Sequence, residues 1–223
     1  MGFSRGPSIV TDGLVFAIDA GSTRSYPGSG TTVTDLVGTN NGTLTNGVGF
    51  NSANGGYWDF DGTNDYISMG SLNLQQSWTL EVWANMDDAS SFGLFGQGVY
   101  GNSVGLHILY QSSARGMIFG MYANDNDYGN NYRPSTGTWY HWVFTYNAST
   151  YDKQFYADSV LQTPAASVEN AYSGTGQLNI GAIYSNASSP ANGKISATRF
   201  HNRVLTAAEV TRNFNAQKSR FGL

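Results

Sequence analysis

The sequence predicts an all-β protein, an antiparallel β-sandwich with one short helix near its C-terminus. Apolar and polar side chains alternate along many short segments, which is the two-residue period of a strand with one buried face. The composition points the same way. Glycine reaches 28 residues and aromatic residues 14%, whereas charged residues make up only 12%, a balance typical of short strands joined by tight turns.

The first dozen residues, MGFSRGPSIVTD, are polar and interrupted by Gly and Pro. We interpret residues 1–12 as an extended arm that lies outside the core and docks on a neighbouring subunit. Residues 13–223 are predicted to form one domain, because no linker rich in Pro or Ser divides them. The apolar run from Leu14 to Ile18 is too short for a signal peptide or a membrane span. We therefore expect a protein made in the cytoplasm without a signal peptide and not inserted in a membrane.

The stretch FDGTNDYI, from Phe60 to Ile67, places turn-forming residues between two extended flanks. Asp-Gly and Asn-Asp favour a hairpin turn at this point. The loop also offers Asp61, Asn64 and Asp65, whose carboxylate and amide oxygens are the ligands that Ca²⁺ prefers. A turn alone and a calcium site both remain open, and calcium is the one cofactor that the sequence suggests. The acidic stretch at 125–127 offers a second mixture of this kind.

Several segments show strand periodicity. SWTLEVWANM, from Ser77 to Met86, alternates apolar with polar positions and predicts a strand with one buried side. WYHWVFTYN, from Trp139 to Asn147, is aromatic on both faces and predicts a central strand covered twice. Further strands are predicted from Val104 to Gln111, Met117 to Met121, Phe155 to Leu161, Leu178 to Tyr184 and Ile195 to Phe200.

One segment predicts a helix. Thr206 and Glu209 have the spacing of a capping box, in which each side chain bonds the other residue's backbone N–H. Leu205 and Val210 occupy the flanking positions of a hydrophobic staple. We therefore expect a short helix over residues 207–217.

The stretch from 122 to 133 is the best candidate for binding a ligand. It combines aromatic rings, amides, carboxylates and a guanidinium, the groups that a carbohydrate site needs beside one another. The alternative is that the tyrosines cover a sheet edge while Asn and Asp shape turns. The candidate ligand-binding residues are Tyr122, Asp125, Asp127, Tyr128, Tyr132 and Arg133.

Composition excludes several classes of function. Lys and Arg number 11 against 15 Asp and Glu, for a net charge of −4. Because there is no basic run, we expect no binding to nucleic acid. Cys is absent, which excludes disulfides and thiolate metal sites. The three His lack the spacing of a metal clamp, and there is no Gly-x-Ser-x-Gly nucleophile motif.

Six motifs follow one another along the chain: GLVFAIDA, FDGTNDYI, WTLEVWANM, WYHWVFTYNASTYDKQFYAD, LNIG and GKISATRFHNRVLTAAEV. Together they resemble the concanavalin A-like, laminin-G-type jelly roll as it occurs in virion proteins of tailed phages. The two ends, GFSRGPSIVTDGL and FNAQKSRFGL, also resemble the ends of such proteins, especially in phages of marine bacteria. The resemblance implies a non-catalytic structural component of the virion, displayed on the outer capsid or tail. Its partners would be other virion proteins, and it would be an oligomer or present in many copies.

The resemblance leaves two rival functions to weigh. One is a carbohydrate-binding adhesin that attaches a particle to glycans of the host surface. The other is a glucanase, since glucanases of this superfamily carry a Glu-x-Asp-x-(x)-Glu cluster. The three Glu of this chain are Glu81, Glu169 and Glu209, and none has a carboxylate two residues away. We therefore expect no enzymatic activity, because retaining cleavage needs two carboxyl groups about 5–5.5 Å apart.

The sequence departs from the family pattern at three places. His201 stands where Tyr is usual, Thr198 where an aliphatic residue is usual, and Asp158-Ser159 where Asp-Gly is usual. Ser supports positive φ poorly, so we expect the turn at Asp158-Ser159 to be longer than two residues or of another type.

Overall fold

The computed structural model describes residues 7–111 and 115–223. It confirms a sandwich of two antiparallel sheets with one short helix near the C-terminus. The strands are β1 (Leu14–Asp19), β2 (Thr32–Val33), β3 (Gly42–Thr45), β4 (Gly49–Asn51), β5 (Tyr57–Asp61), β6 (Tyr66–Ser71), β7 (Trp78–Met86), β8 (Phe92–Gln97), β9 (Leu106–Gln111), β10 (Gly116–Gly120), β11 (Asp125–Asp127), β12 (Trp139–Tyr146), β13 (Lys153–Ala157), β14 (Val160–Gln162), β15 (Gln177–Ile180) and β16 (Asn192–His201). The α-helix covers Ala207–Gln217, and 3-10 turns cover Ala53–Gly55, Gly129–Asn131 and Lys218–Phe221.

The first sheet has the strand order β14-β13-β12-β7-β16-β5-β4, and β1 also pairs with β16. The second sheet has the order β11-β10-β9-β8-β15-β6-β3-β2. Within residues 7–111 and 115–223, all of these strand pairings are antiparallel. Because neighbours in a sheet are often distant along the chain, the chain passes repeatedly from one sheet to the other.

One of these passages corrects the prediction for FDGTNDYI. The stretch is not a hairpin, because β5 pairs with β4 and β16 in the first sheet while β6 pairs with β3 and β15 in the second. Gly62 has φ +76 and does form a turn. A turn fixes only the local chain direction, whereas the choice of partner strand depends on distant segments. Here the turn carries the chain across the edge of the sandwich.

The main core fills the space between the sheets. The predicted inward face of β7, with Trp78, Leu80 and Val82, lies in this core beside Trp142 and Phe144 of β12. The prediction that β12 is central and covered on both sides is confirmed, because it lies between β7 and β13 and all of its residues except Tyr140 are buried. The prediction that β7 has a single buried side is wrong. All nine of its residues are buried.

The second face of β7 is covered by the chain's C-terminal segment. The Trp83 ring stacks on Phe221 at 4.2 Å between centroids and on Phe214 at 5.9 Å. The helix that carries Phe214 begins with the predicted capping box: Thr206 Oγ1 accepts from Glu209 N–H at 3.3 Å, and Glu209 Oε2 accepts from Thr206 N–H at 2.8 Å. None of the helices in the described residues is long and apolar enough to cross a membrane.

The predicted strand from Phe155 to Leu161 is in fact two strands, β13 and β14. They are joined by a two-residue turn in which Asp158 and Ser159 have φ +48 and +70. The expectation of a longer or different turn is therefore wrong. Asp158 tolerates this backbone because it is held on both sides: its N–H donates to the His141 carbonyl at 2.9 Å, and its Oδ1 accepts from His141 N–H at 2.8 Å.

The described part of the predicted arm, residues 7–12, packs on its own domain. Val10 is buried, its N–H donates to Asn213 Oδ1 at 2.7 Å, and its carbonyl lies 3.2 Å from His201 Nε2. The expectation that no residue before 13 belongs to a core is therefore wrong for Val10. Residues 1–6 lie outside the described residues, and docking of the arm on a neighbouring subunit stays a prediction.

Candidate functional site

A pocket of about 260 Å³ opens on the outer face of the second sheet. We call it the tyrosine pocket. Strands β9 and β10 form its floor, and the loops after β8, β10 and β15 form its walls. The side chains that give it chemical character are Tyr100, His107, Arg115, Tyr122, Asp125 and Tyr184.

Three tyrosines from three different loops form the wall. The ring of Tyr100 lies 4.0 Å from that of Tyr122 and 5.8 Å from that of Tyr184, measured between centroids. Tyr100 is 70% exposed, whereas Tyr184 is only 8% exposed. An aromatic ring of this kind, open to solvent and braced by two others, is a platform on which an apolar ligand face can stack.

The backbone under two of these tyrosines is strained. Tyr122 has φ +44 and Tyr184 has φ +52, in the left-handed region that bulky residues rarely adopt. Such conformations cost of order 1–3 kcal/mol each and persist only where the surroundings enforce them. Positive φ also occurs at non-glycine residues outside the pocket, among them Asn46 and Tyr151, so it identifies strained backbone and does not by itself indicate function.

Glycines of β8 allow the Tyr184 loop to lie directly on the sheet. A Cβ at Gly96 would stand 2.1 Å from the backbone nitrogen of Tyr184, and a Cβ at Gly93 would stand 2.3 Å from the carbonyl oxygen of Ser189. No side chain fits at either position without moving the loop. The close approach therefore requires glycine at both places and fixes the height of Tyr184 above the sheet.

A network of charged groups occupies the other side of the pocket. The Arg115 guanidinium donates to Asp125 Oδ2 at 2.9 Å and to both carboxylate oxygens of Asp127, at 2.9 and 2.6 Å. His107 Nδ1 donates to the Gly105 carbonyl at 3.1 Å, because a carbonyl can only accept. Its Nε2 lies 3.2 Å from Asp125 Oδ1. Asp125 Oδ1 is buried and makes no hydrogen bond within the part of the chain that the structure describes.

These contacts set the ionisation of the pocket. Burial alone would raise the pKa of Asp125, but the neighbouring His107 and Arg115 lower it to about 2. Hydrogen bonding to Asp127 raises the pKa of Arg115. Burial raises the pKa of the Tyr184 hydroxyl. At neutral pH the pocket therefore presents an ionised Asp125 carboxylate beside the uncharged phenol of Tyr184.

The structure separates the predicted ligand-binding residues into two groups. Tyr122 and Asp125 line the tyrosine pocket, and Asp127 holds Arg115 from just outside it. Tyr128, by contrast, is completely buried in the main core and packs against Phe155.

Tyr132 is also turned inward, and its hydroxyl accepts from Trp142 Nε1 at 2.7 Å. The prediction that Tyr128 and Tyr132 form exposed platforms is therefore wrong, because both rings are used to close the core. Arg133 is exposed and does not line the tyrosine pocket.

Sequence reasoning missed four contributors to the pocket: Tyr100, His107, Arg115 and Tyr184. Tyr184 lies far along the chain from the other three, and all four meet through the pairing of β8, β9, β10 and β15. The available signal was weak. Tyr100 follows Gly98 and precedes Gly101 in a loop with no core periodicity, where an aromatic residue has no packing role to explain it.

The residues predicted to bind calcium lie at the crossing between β5 and β6. Asp61 Oδ1 accepts from Thr63 N–H at 2.8 Å, and Asp65 Oδ2 accepts from Asp61 N–H at 3.2 Å. The Asn64 carbonyl accepts from Asn46 Nδ2 at 2.8 Å. These bonds are those of a turn that stabilises itself.

The same crossing borders a second pocket, of about 350 Å³, which we call the acidic pocket. It is lined by Asp59, Asp61, Asp65 and Asp87. Asp65 is 2% exposed, and its Oδ1 has no hydrogen-bond partner in the described residues. Burial raises the pKa of Asp65 and of Asp59. However, in residues 7–111 and 115–223 no three His, Asp or Glu side chains are placed to share a metal ion.

The second predicted acidic loop, at 125–127, is a strand. Asp125 and Asp127 are bound to Arg115, and Asn126 donates to the Lys153 carbonyl at 3.2 Å. All three side chains therefore already have partners from the protein itself.

Similarity to known proteins identifies the family of this chain and supports its fold. The sequence pattern of the family described as the concanavalin A-like lectin/glucanases superfamily matches residues 61–211. No curated protein sequence matches this chain.

Among solved structures, the chain is similar to Trypanosoma rangeli sialidase in complex with sialic acid, with a TM-score of 0.70 and 18% identity. That match covers 96% of this chain and 35% of the sialidase, so the chain spans about a third of the enzyme's length. The chain is also similar to domain 4 of AbnA, a GH43 extracellular arabinanase from Geobacillus stearothermophilus, in complex with arabinotriose. Here the TM-score is 0.68 and the identity 15%, over 91% of this chain and 98% of that domain.

At these identities the likeness to solved structures concerns the fold alone. The family match spans well over half of the chain, and the two-sheet sandwich agrees with it. The chain therefore belongs to the concanavalin A-like lectin/glucanase superfamily.

Proposed function

We propose that the protein binds carbohydrate in the tyrosine pocket. The observation that supports this most directly is the exposed ring of Tyr100, braced by Tyr122 and Tyr184 above an ionised Asp125. A sugar ring has an apolar face that stacks on an aromatic ring and hydroxyls that bond to carboxylates. The volume of about 260 Å³ is just below the range of about 300–1,000 Å³ that is usual for drug-sized ligands. The pocket therefore suits a single sugar unit of a longer glycan.

The similarity to domain 4 of AbnA adds support by analogy. That domain is described in complex with arabinotriose, and it matches this chain over nearly its whole length. A shared fold does not by itself transfer a ligand. Carbohydrate binding is therefore inferred from the pocket's own residues, and the shared fold only raises the expectation that this protein holds sugars.

We also propose that the protein is not an enzyme. Glycoside hydrolysis requires a carboxylic acid whose pKa is raised so that it can protonate the leaving group. In the tyrosine pocket, where we propose that the sugar binds, His107 and Arg115 have the opposite effect and hold the pKa of Asp125 low. The carboxyls with raised pKa values, Asp59 and Asp65, belong to the acidic pocket and not to this site. Incubation with laminarin or agarose should release no reducing ends, and their release would contradict this proposal.

Replacement of Tyr100 by Ala tests the carbohydrate site. Tyr100 is mostly exposed, so Tyr100→Ala should leave the fold intact while it removes the stacking platform. Aromatic contacts of this kind contribute about 1 kcal/mol or more beyond the area they bury. We expect glycans bound by the wild type on an array to lose at least about fivefold in affinity, measured by isothermal titration.

Tyr151→Ala is the matched control. Tyr151 is also a partly exposed tyrosine, but it lies in the turn between β12 and β13 of the first sheet. Binding should be unchanged in this variant. An array on which the wild-type protein binds no glycan, or equal binding by the wild type and Tyr100→Ala, would contradict the proposal.

A second proposal concerns where the protein acts. The resemblance of the motifs and of both chain ends to virion proteins of tailed phages supports a position on the outer capsid or tail. There the protein would be made in the host cytoplasm, would contact other virion proteins and would be present as an oligomer or in many copies. With a carbohydrate pocket, such a protein could decorate the particle or act as an adhesin for host glycans.

A mass-spectrometric inventory of purified particles tests this location. Many copies spread over the capsid would support decoration, and a few copies at the tail would support adhesion. Absence of the protein from particles would contradict both.

We finally propose the acidic pocket as a place where calcium could bind. The donor set is of the right kind, because Ca²⁺ prefers carboxylate oxygens and Asp65 Oδ1 is buried without a partner. The hydrogen bonds within the turn, from Thr63 N–H to Asp61 and from Asp61 N–H to Asp65, favour a purely structural role for these carboxylates. Addition of Ca²⁺ to EDTA-treated protein should raise the Tm if an ion is held, and Asp65→Asn should abolish the rise. An unchanged Tm in the wild type would favour the turn alone.

A further inference from the structure

The charges around the tyrosine pocket decide which sugars it can accept. Among the described residues that line it, Arg115 is the one permanent cation, and His107 is directed at the same carboxylate, with its Nε2 3.2 Å from Asp125 Oδ1. The neighbouring residues 112–114 are Ser, Ser and Ala and add no charge. Two carboxylates, Asp125 and Asp127, face this single guanidinium.

Arg115 uses its guanidinium on these carboxylates. It makes three hydrogen bonds to them, two of which form a fork on Asp127. Bidentate pairing of this kind is the strongest form of Arg–carboxylate contact. An acidic sugar would have to compete with Asp127 for the same planar group, and it would do so from a position next to the ionised Asp125.

Lys153 does not change this balance. Its ammonium is buried and donates to the backbone carbonyls of Asn124 and Val168. Lys153 does not line the pocket. Its ammonium is therefore used on the carbonyls of Asn124 and Val168 rather than on a ligand in the pocket.

The polar groups that remain suit hydroxyls. The Asp125 carboxylate lines the pocket and can accept only from a donor. Exposed Gln111 at the pocket's edge offers both a donor and an acceptor. A sugar hydroxyl satisfies both groups, whereas a sugar carboxylate or sulfate offers acceptors only.

From this arrangement we infer that the tyrosine pocket selects a neutral sugar unit and rejects acidic sugars such as sialic acids, uronic acids and sulfated sugars. The inference rests on the proposed carbohydrate function and specifies its ligand class. The aromatic wall would stack on either kind of sugar. The selection comes from the carboxylates of Asp125 and Asp127, which repel a negatively charged sugar.

An array of matched pairs tests the inference. Each pair consists of a neutral oligosaccharide and the same oligosaccharide carrying one sialic acid, uronic acid or sulfate, for example lactose and sialyllactose. We expect the wild-type protein to bind neutral members at least about tenfold more tightly than their acidic partners, a difference that should be weaker at high salt. Tyr100→Ala should lose the neutral binding.

Asp127→Asn is the decisive variant. Asp127 does not line the pocket, and its replacement releases Arg115 from its bidentate partner while the side chain keeps its shape. Affinity for the acidic members should then rise several-fold relative to the neutral members. A merely structural role of Asp127 would weaken both classes equally.

The possible results distinguish failure of the neutral-sugar inference from failure of the proposed carbohydrate function. Preferential binding of acidic glycans that is lost in Tyr100→Ala would overturn the neutral-sugar inference and leave the carbohydrate function standing. An Asp127→Asn variant with an unchanged ratio of acidic to neutral binding would also overturn it. Absence of binding to every glycan would overturn both.

Discussion

Glu81, in the middle of β7, is a carboxylate with no exposed surface. The Arg199 guanidinium of β16 donates to its Oε1, and Asn213 of the C-terminal helix donates to its Oε2 at 2.7 Å. His141 of β12 lies 3.5 Å away, beyond hydrogen-bond distance. Burial alone would raise the pKa of Glu81, but its neighbours Arg199 and His141 hold that pKa well below its ordinary value. The carboxylate is therefore ionised inside the protein.

Replacement of this carboxylate should be strongly destabilising. Glu81→Gln keeps the shape of the side chain but leaves Arg199 buried without a counter-charge, and such changes cost about 3–5 kcal/mol. We expect a loss of this size in the free energy of unfolding, measured with urea. Asp87→Asn is the control, because the Asp87–Lys194 pair is partly exposed and should contribute only about 0–1 kcal/mol. Equal effects of the two variants would contradict this account of Glu81.

The ionised Glu81 carboxylate should make the free energy of unfolding depend on pH. The pKa of Glu81 is lower in the folded state than its unfolded value of 4.5, so its contribution is fully present above that value and is lost as the pH falls through the folded pKa. The difference in unfolding free energy between the wild type and Glu81→Gln should be constant from about pH 7 to about pH 5.5 and should shrink below about pH 4. Urea titrations at several pH values measure it. A difference that grows on acidification would have the wrong sign.

The sequence could identify a pocket residue only where the groups that define its role lie close to it along the chain. Tyr122 and Asp125, which line the tyrosine pocket, could be singled out because their chemistry is concentrated in one stretch of the chain. Tyr128 and Tyr132 belong to the same stretch but point inward, and the alternation that decides this is hidden by the loop before β11 and the 3-10 turn at Gly129–Asn131. The partners Tyr100, His107 and Tyr184 depend on strand pairing, which a single sequence does not specify.

Among the elements, the C-terminal helix is the one that local sequence specified most completely. Its capping box, its first residue and the burial of Leu205 and Val210 agree with the prediction. Helix termini can be predicted because capping satisfies backbone N–H groups that have no partner within the helix, whatever the rest of the fold.

Removal of the cap should loosen this helix from β7. Thr206→Ala takes away the acceptor for the Glu209 N–H and should cost about 1 kcal/mol. Urea denaturation followed by tryptophan fluorescence should detect the change, because Trp83 is packed under the helix. Thr206→Ser restores the hydroxyl and should recover most of the loss. A Ser variant as unstable as the Ala variant would show that the cap is not the cause.

The pairing of the strands could not be predicted from the local sequence alone. FDGTNDYI has a hairpin's turn residues but joins two sheets, because β5 and β6 each find their partners elsewhere. At Asp158-Ser159 we expected a longer or different turn because Ser supports positive φ poorly, yet the chain folds back tightly at Asp158, which is fixed by two hydrogen bonds to His141. In both cases a contact with a distant strand decides the outcome against the local preference.

Across the whole molecule, Asn213 connects the two ends of the chain to the middle of the first sheet. Its Oδ1 accepts from the Val10 N–H at 2.7 Å, and its Nδ2 donates to Glu81 Oε2 at 2.7 Å. The side chain is fully buried. Val10 in turn packs in a small cluster with Val143 and Val210. The N-terminal stretch, the helix and β7 therefore share one polar link in an otherwise apolar layer.

Asn213→Ala should break this link at both ends. It leaves a buried N–H and a buried carboxylate oxygen each short of one hydrogen bond, which we expect to cost about 3 kcal/mol in unfolding free energy. The amide of Val10 should also lose protection against hydrogen exchange, because its acceptor is gone. Asn215→Ala, on the exposed side of the same helix, should change neither quantity. The double variant Glu81→Gln, Asn213→Ala should be less destabilised than the two single losses added together, since both remove parts of one network. Additive losses, or a Val10 amide that stays protected in Asn213→Ala, would mean that the N-terminal stretch is held by its apolar contacts rather than through Asn213.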